Sequence, residues 1–198
     1  SSQLKLLYAQ TLELADRRDL AVTVYRSLLD QDAGGTNGAR RAVYLLLLAT
    51  ALDASGDWDS ARNALEDAAV LDPKNPQILN YLGYSLLERR IDVARGFDLV
   101  SQAHQLAPQS AAITDSLGWA HFLRGEVDKA IPLLESAVKG AIADAAINEH
   151  LGDAYWSAGR RSEARFLWKA AALAAEGEAA KRLAQKIDFG WTKETAAP

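Results

Sequence analysis

The sequence predicts an all-α protein: a right-handed superhelical stack of antiparallel helix pairs, ended by a C-terminal capping helix. Three observations carry the prediction. Gly118 and Gly152 stand 34 residues apart in near-identical surroundings, Asp115-Ser-Leu-Gly-Trp-Ala and Glu149-His-Leu-Gly-Asp-Ala. A period of this length belongs to folds stacked from one helical unit, each burying its apolar face against its neighbours. The chain is 49% hydrophobic and rich in Ala and Leu, and few stretches show the β-branched alternation of strands. The same small and large residues also recur at matching steps upstream.

The steps can be followed from each glycine. Seven residues on comes another Gly, Gly125 and Gly159; twelve residues on, Ala130 and Ala164; nineteen on, Ala137 and Ala171. Small residues at such steps let two antiparallel helices approach closely, and the second Gly suits the turn between them. One upstream segment reads Leu48-Ala49, Leu52, Gly56, Ala61, Leu65, Ala68, Pro73. Another reads Leu82-Gly83, Leu86, Gly96, Val100, Ala103, Pro108; it carries one extra residue near Arg90-Ile91 and lacks the inter-helix Gly. Residues 1–33 fit the pattern weakly, through Tyr8-Ala9, Leu12, Ala21, Tyr25 and Leu28.

This pattern resembles the tetratricopeptide repeat, most strongly over 42–176. Pro73 and Pro108 stand where that family ends its second helix, and Ile142 and Glu176 replace Pro in the last two units. Ile147-Asn-Glu-His-Leu-Gly-Asp-Ala-Tyr-Trp156, Asn80-Tyr-Leu-Gly-Tyr-Ser and Thr114-Asp-Ser-Leu-Gly-Trp119 are similar to the C-terminal repeats of large proteobacterial tetratricopeptide proteins. The resemblance implies a protein-interaction role. Members of that group include exported proteins, outer-membrane lipoproteins, and adaptors for a protease or an envelope assembly factor.

Element by element, a degenerate first helical repeat covers 1–33, and a Gly- and Asn-rich loop covers 34–41. That loop stretches the Ala21-to-Ala61 step to 40 residues, an insertion of small entropic cost between stacked units. Four units follow at 42–74, 76–108, 110–142 and 144–176, with Asp72-Pro-Lys-Asn-Pro76 and Ala107-Pro-Gln-Ser110 as stop and restart signals. The capping helix falls in 177–191, with Ala179, Leu183 and Ile187 as its apolar stripe and Lys181, Arg182, Gln185 and Lys186 as its polar face. Phe189, Gly190 and Trp191 are expected to fold back, and 192–198 to form a loose tail. Leu48, Leu52, Leu65, Leu82, Leu86, Val100, Leu117, Leu134, Leu151, Tyr155 and Trp168 are core candidates.

Composition narrows the function. A net charge of −4 without a Lys/Arg stripe argues against nucleic acid as a partner. Arg40-Arg41, Arg89-Arg90 and Arg160-Arg161 sit near helix ends, where a cation suits the dipole or the solvent. The apolar run Ala42–Ala51 is too short to span a bilayer, so no direct membrane insertion is expected. Without cysteine there is no disulfide framework, thiolate zinc site or Cys nucleophile. The chain contains no Met and begins Ser1-Ser2-Gln3, so it reads as a piece of a longer protein, and its compartment stays open between cytoplasm and periplasm. No phosphate loop, zinc-binding His pair or Ser elbow is present, so no catalytic residue, cofactor or metal is expected. His104 reads as an outside residue and His121 as half-buried packing; His150 with Glu149, Asp153 and Asp115 only imitates a metal set.

The candidate binding residues lie on the first helix of each unit. Positions −3, −2, +1 and +4 from the Leu-Gly glycine share one helical face. They comprise Leu46, Leu47, Thr50 and Asp53; Asn80, Tyr81, Tyr84 and Leu87; Asp115, Ser116, Trp119 and Phe122; and Glu149, His150, Asp153 and Trp156. This set holds five aromatic rings and four carboxylates but no Lys or Arg. Aromatic anchors beside carboxylates fit a protein or peptide partner with apolar and basic residues. The residues put forward as partner-binding are Asn80, Tyr81, Tyr84, Asp115, Trp119, Phe122, Glu149, His150, Asp153 and Trp156. An acidic C-terminal tail is disfavoured, because carboxylate would face carboxylate. The first reading is therefore a non-catalytic scaffold or adaptor with an acidic, aromatic concave groove. The alternatives are the docking or regulatory portion of a larger enzyme or protease-adaptor complex, and self-association. The groove is either open or filled by the chain's own tail, with Phe189 and Trp191 as candidate plugs.

Overall fold

Six of the described helices begin with a polar residue whose side chain caps them. The side chains of Asn37, Asp57, Asp92, Ser110 and Asp144 accept a hydrogen bond from the backbone N–H three residues on, at Arg40, Ser60, Arg95, Ile113 and Ile147. Asn75 does the same for Gln77 and Ile78. Such caps satisfy N–H groups that the first turn leaves without partners. The computed structural model describes residues 1–32 and 37–192. Among them are eleven helices and no strand: α1 (Ser2–Leu14), α2 (Arg18–Gln31), α3 (Gly38–Ala54), α4 (Trp58–Leu71), α5 (Pro76–Glu88), α6 (Val93–Leu106), α7 (Ala111–Leu123), α8 (Val127–Gly140), α9 (Ala145–Ser157), α10 (Arg161–Ala172) and α11 (Gly177–Phe189). Residues 34–36 of the expected loop lie outside the described residues, and Gly38 already belongs to α3; of the expected tail only Thr192 is described.

The turns within the pairs share one conformation. Gly56, Gly125 and Gly159 have φ of 86°, 75° and 82°. The units without this Gly bend in the same way: Asp16 and Arg90 occupy the matching places with φ of 58° and 52°. The geometry of the turn is thus retained where its preferred residue is missing, at a conformational cost to Arg90.

The chain divides into two compact units, Ser1–Leu82 and Gly83–Pro198, with the boundary inside α5. In the first unit α1 packs on α2, α2 on α3, and α3 on α4. Its core contains Ala21, Tyr25, Leu28, Leu48, Ala49, Leu52, Ala61, Leu65 and Ala68. Burial, with Glu13 accepting its hydroxyl proton at 2.7 Å, pushes the Tyr25 pKa well above the usual phenol range. Arg41 donates to the Leu29 carbonyl at 2.8 Å and Arg40 pairs with Asp32, so this basic pair ties the α2–α3 connection instead of simply facing solvent.

In the second unit α7 packs on α8, α8 on α9, α9 on α10, and α10 on α11. Leu134, Leu151, Ala154, Tyr155, Ala164, Leu167, Trp168, Ala171 and Leu183 form one core cluster. Leu87, Val100 and Ala120 form another, with Leu117, expected in the core, only partly buried against it. The Leu-Gly glycines mark the closest approaches. A Cβ on Gly83 would stand 2.9 Å from the Gly96 carbonyl oxygen, and one on Gly118 would stand 2.8 Å from Leu134 Cγ. One on Gly152 would meet the Trp168 ring at 2.5 Å.

Candidate interaction surface

The face carried by α7 and α9 is built from the helical spacing of its residues. Asp115, Trp119 and Phe122 follow one another at steps of four and three along α7; Glu149, Asp153 and Trp156 do the same on α9, with His150 beside them. The 0%-exposed Trp119 ring lies between two others, stacked on His150 at 4.2 Å and on Phe122 at 4.8 Å between centroids. His150 Nδ1 lies 2.8 Å from Asp115 Oδ2, and the Tyr84 ring stands 6.2 Å from the imidazole. Trp156 packs 5.3 Å from Trp168, and its ring carries the guanidinium groups of Arg161 and Arg165 at 5.1 and 4.9 Å.

Two expectations from the sequence require correction here. Trp119 is an interior ring, not an exposed anchor, and Asp115, Glu149, His150 and Asp153 are buried beside it. The covering element is α11, and its polar face does not all point outward. Lys186 is fully buried and Arg182 mostly so. Arg182 grips Glu149 in a two-pronged contact, with Nε and Nη2 each 2.8 Å from a carboxylate oxygen. Lys186 Nζ reaches Glu149 at 2.7 Å and Asp153 at 2.7 and 2.8 Å. Lys181 remains at the surface, in a pair with Glu178, and Gln185 is exposed.

The end of α11 completes the cover. Arg165 Nε donates to the Ile187 carbonyl at 3.0 Å, satisfying a C-terminal acceptor of the helix. Gly190 turns the chain with φ of 92°, and any side chain there would collide with the Trp156 ring. The turn aims Trp191 back at the face, where its Nε1 donates to Asp153 Oδ2 at 3.1 Å and its ring meets Phe122 edge-on at 6.2 Å. Phe189, the other candidate plug, is 82% exposed. The Asp153 carboxylate also accepts from Trp168 Nε1 at 3.0 Å.

Electrostatics follow from this packing. Burial opposes the charged form of Glu149, yet Arg182 and Lys186 outweigh it and hold its pKa below the ordinary Glu value. Burial likewise opposes charge on His150, but Asp115, then Asp153 and Glu149, raise its pKa above the ordinary value. Burial drives the Tyr84 hydroxyl well above the phenol range, with Glu88, Asp115 and Glu149 adding to the shift.

The two remaining candidates lie in the first unit. Tyr81 donates to Asp53 Oδ2 at 2.9 Å, linking α5 to α3, and both residues are half-buried. Asn80 Oδ1 is buried without a hydrogen-bond partner. Leu46 and Leu47 are partly covered, and Thr50 is exposed. Elsewhere, α8, α9 and α10 of the second unit form an open depression of about 600 Å³ over Val138, Leu151, Tyr155 and the exposed Phe166. No described helix is long and apolar enough to cross a membrane.

These features define an all-α helical-repeat protein. The tetratricopeptide repeat family model matches residues 46–111. A tetratricopeptide-repeat-containing protein of Pseudomonas aeruginosa, PA4667, is 28% identical over 137 residues, which are 69% of this chain and 22% of the relative; the chain thus spans about a fifth of that protein's length. Among solved structures, the thermophilic tetratricopeptide protein TTC0263 of Thermus thermophilus superposes with a TM-score of 0.75 at 21% identity, covering 96% of this chain and 100% of that one. YrrB, described as a tetratricopeptide protein with an unusual peptide-binding site, superposes with a TM-score of 0.59 at 15% identity, covering 91% and 90%. Residues 46–111 thus match the tetratricopeptide repeat model, and the fold is that of the tetratricopeptide structures on which the chain superposes.

Proposed function

We propose that this protein is a non-catalytic scaffold that holds a helix or peptide of a partner on the first-helix faces of its repeats, and that it selects apolar and basic side chains. One observation carries the reading. The carboxylates of Glu149 and Asp153 on α9, with the Phe122 ring of α7, hold a cation-bearing amphipathic helix, the chain's own α11, and the Trp191 that follows it. The face therefore has the chemistry to take Lys, Arg and an aromatic ring together. Neutralising Glu149 and Asp153 in a buried setting demands paired cations, so an acidic helix would leave these carboxylates uncompensated and add repulsion. The peptide-binding description of YrrB agrees with this assignment.

The test uses two fluorescently labelled helical peptides with one apolar pattern, the first carrying Lys and Arg on its flanks and the second Glu. Anisotropy with the full chain should show binding of the basic peptide, at least about tenfold tighter than the acidic one and weakening with salt. Equal affinities, or no binding of either peptide, would sink the proposal.

A further inference from the structure

We infer that α11 with Trp191 is a displaceable self-ligand, and that the partner is an amphipathic helix repeating its pattern: a cation at i and i+4, each followed by an aliphatic residue, with an aromatic beyond. In this chain the pattern is Arg182-Leu183, Lys186-Ile187 and Trp191. The inference rests on the scaffold reading above and names the chemistry of its partner.

Three observations support it. The first is how α11 is held. Among the described residues, Arg182, Lys186 and Trp191 reach the carboxylates of Glu149 and Asp153, and Arg165 holds the Ile187 carbonyl. Its apolar anchorage is Leu183, buried in the core cluster, with Ile187 and Trp191 partly buried against that cluster, while Phe189 is turned to solvent. The second is the burial of those charges. Lys186 and Asp153 are both 0% exposed. A buried ion pair gains strong attraction but has lost its hydration, and parting in water restores that hydration to both ions. Charge therefore fixes the register of α11 more than it fixes α11 in place. The third is an unfilled acceptor. Asp115 is 5% exposed; one of its oxygens holds His150, and the other, Oδ1, has no hydrogen-bond partner. An acceptor left without a donor in a buried place is costly. None of the α11 side chains that bind Glu149 and Asp153 supplies a donor to it.

The experiment compares the full wild-type chain with the full-length Arg182→Glu/Lys186→Glu double variant. Two like charges facing Glu149 and Asp153 should expel α11 from the face. The probe is a labelled synthetic peptide with the sequence of residues 177–192. The double variant should bind it at least about tenfold more tightly than wild type, because the competing helix has left. Adding Glu149→Lys to the double variant should abolish that gain. Hydrogen exchange on the same samples should show α11 deprotected in the variant while α9 and α10 stay protected.

The inference is overturned by no gain in affinity, or by loss of protection throughout α9 and α10, which would make α11 an integral part of the fold. A wild-type dimer in sedimentation that the double variant abolishes would also overturn it, by placing a second copy's α11 on the face. If wild type still prefers the basic helix over the acidic one while the variant gains nothing, the self-ligand falls and the scaffold reading stands.

Discussion

Gly152→Ala tests the meaning of the repeat's signature glycine. The new methyl would stand 2.5 Å from both Cδ1 and Nε1 of Trp168 and 3.3 Å from the Ala164 carbonyl oxygen. Trp168 is fully buried, and its Nε1 donates to Asp153 at 3.0 Å, so the ring cannot move without straining that bond. In favour of the change, Ala is a better helix former than Gly by about 1 kcal/mol. Against it, overpacking costs about 1–3 kcal/mol, and loss of a hydrogen bond to a charged acceptor costs about 1.5–3 kcal/mol. Packing wins, with a net destabilisation of about 1.5–5 kcal/mol. Urea unfolding followed by far-UV circular dichroism gives the magnitude. Trp168→Phe removes the ring edge that the methyl meets, so the cost of Gly152→Ala should be smaller in that background. A Gly152→Ala chain as stable as wild type, or equal costs in both backgrounds, would refute the reasoning.

Two further outcomes follow from other positions. Arg90→Gly should raise the urea midpoint, by about 1 kcal/mol of stability, because Arg90 holds φ of 52° where the other turns use Gly; an unchanged or lower midpoint would contradict this. Stability of the second unit should be greatest between the ordinary Glu and His values. The lowered pKa of Glu149 gives stability that is present above the ordinary Glu value and lost as pH falls through the folded one; the raised pKa of His150 gives stability that is present below the ordinary His value and lost as pH rises through the folded one. Thermal melts from about pH 2 to 9 should show both limbs, and His150→Gln should flatten the alkaline one.

The period and its packing were legible because they are local. A Leu-Gly pair recurring with Ala twelve residues later states directly that two helices must touch, and the contact of Gly118 with Leu134 is that statement in atoms. The turn at Arg90 was harder to read, since the conformation persists where the glycine that announces it is gone. The candidate face was legible as a set of residues and not as an environment. Spacing along α7 and α9 says that Asp115, Trp119, Glu149 and Asp153 share sides of helices; it does not say what lies over them. Lys186 misled because the outward reading of a lysine on an amphipathic helix is the ordinary one. Its position offered a clue: it is three residues from Leu183 and adjacent to Ile187, at the edge of the apolar stripe. A stronger clue was the charge inventory of the face, where carboxylates without cations require cations from somewhere else.

That requirement also separates a cap from a ligand. Closing the end of a helical stack needs only apolar area, and a helix with Leu or Met in place of Arg182 and Lys186 could pack against an equally apolar α9. Replacing buried ion pairs by such contacts is often neutral or stabilising. The second unit instead places Glu149 and Asp153 where their burial is tolerable only under matching cations, and α11 brings those cations in one register. A one-residue slip of α11 would withdraw Lys186 from both carboxylates at once. Selectivity of this kind adds little to the stability of a cap, whereas a surface that must admit one class of helix and reject acidic ones depends on it.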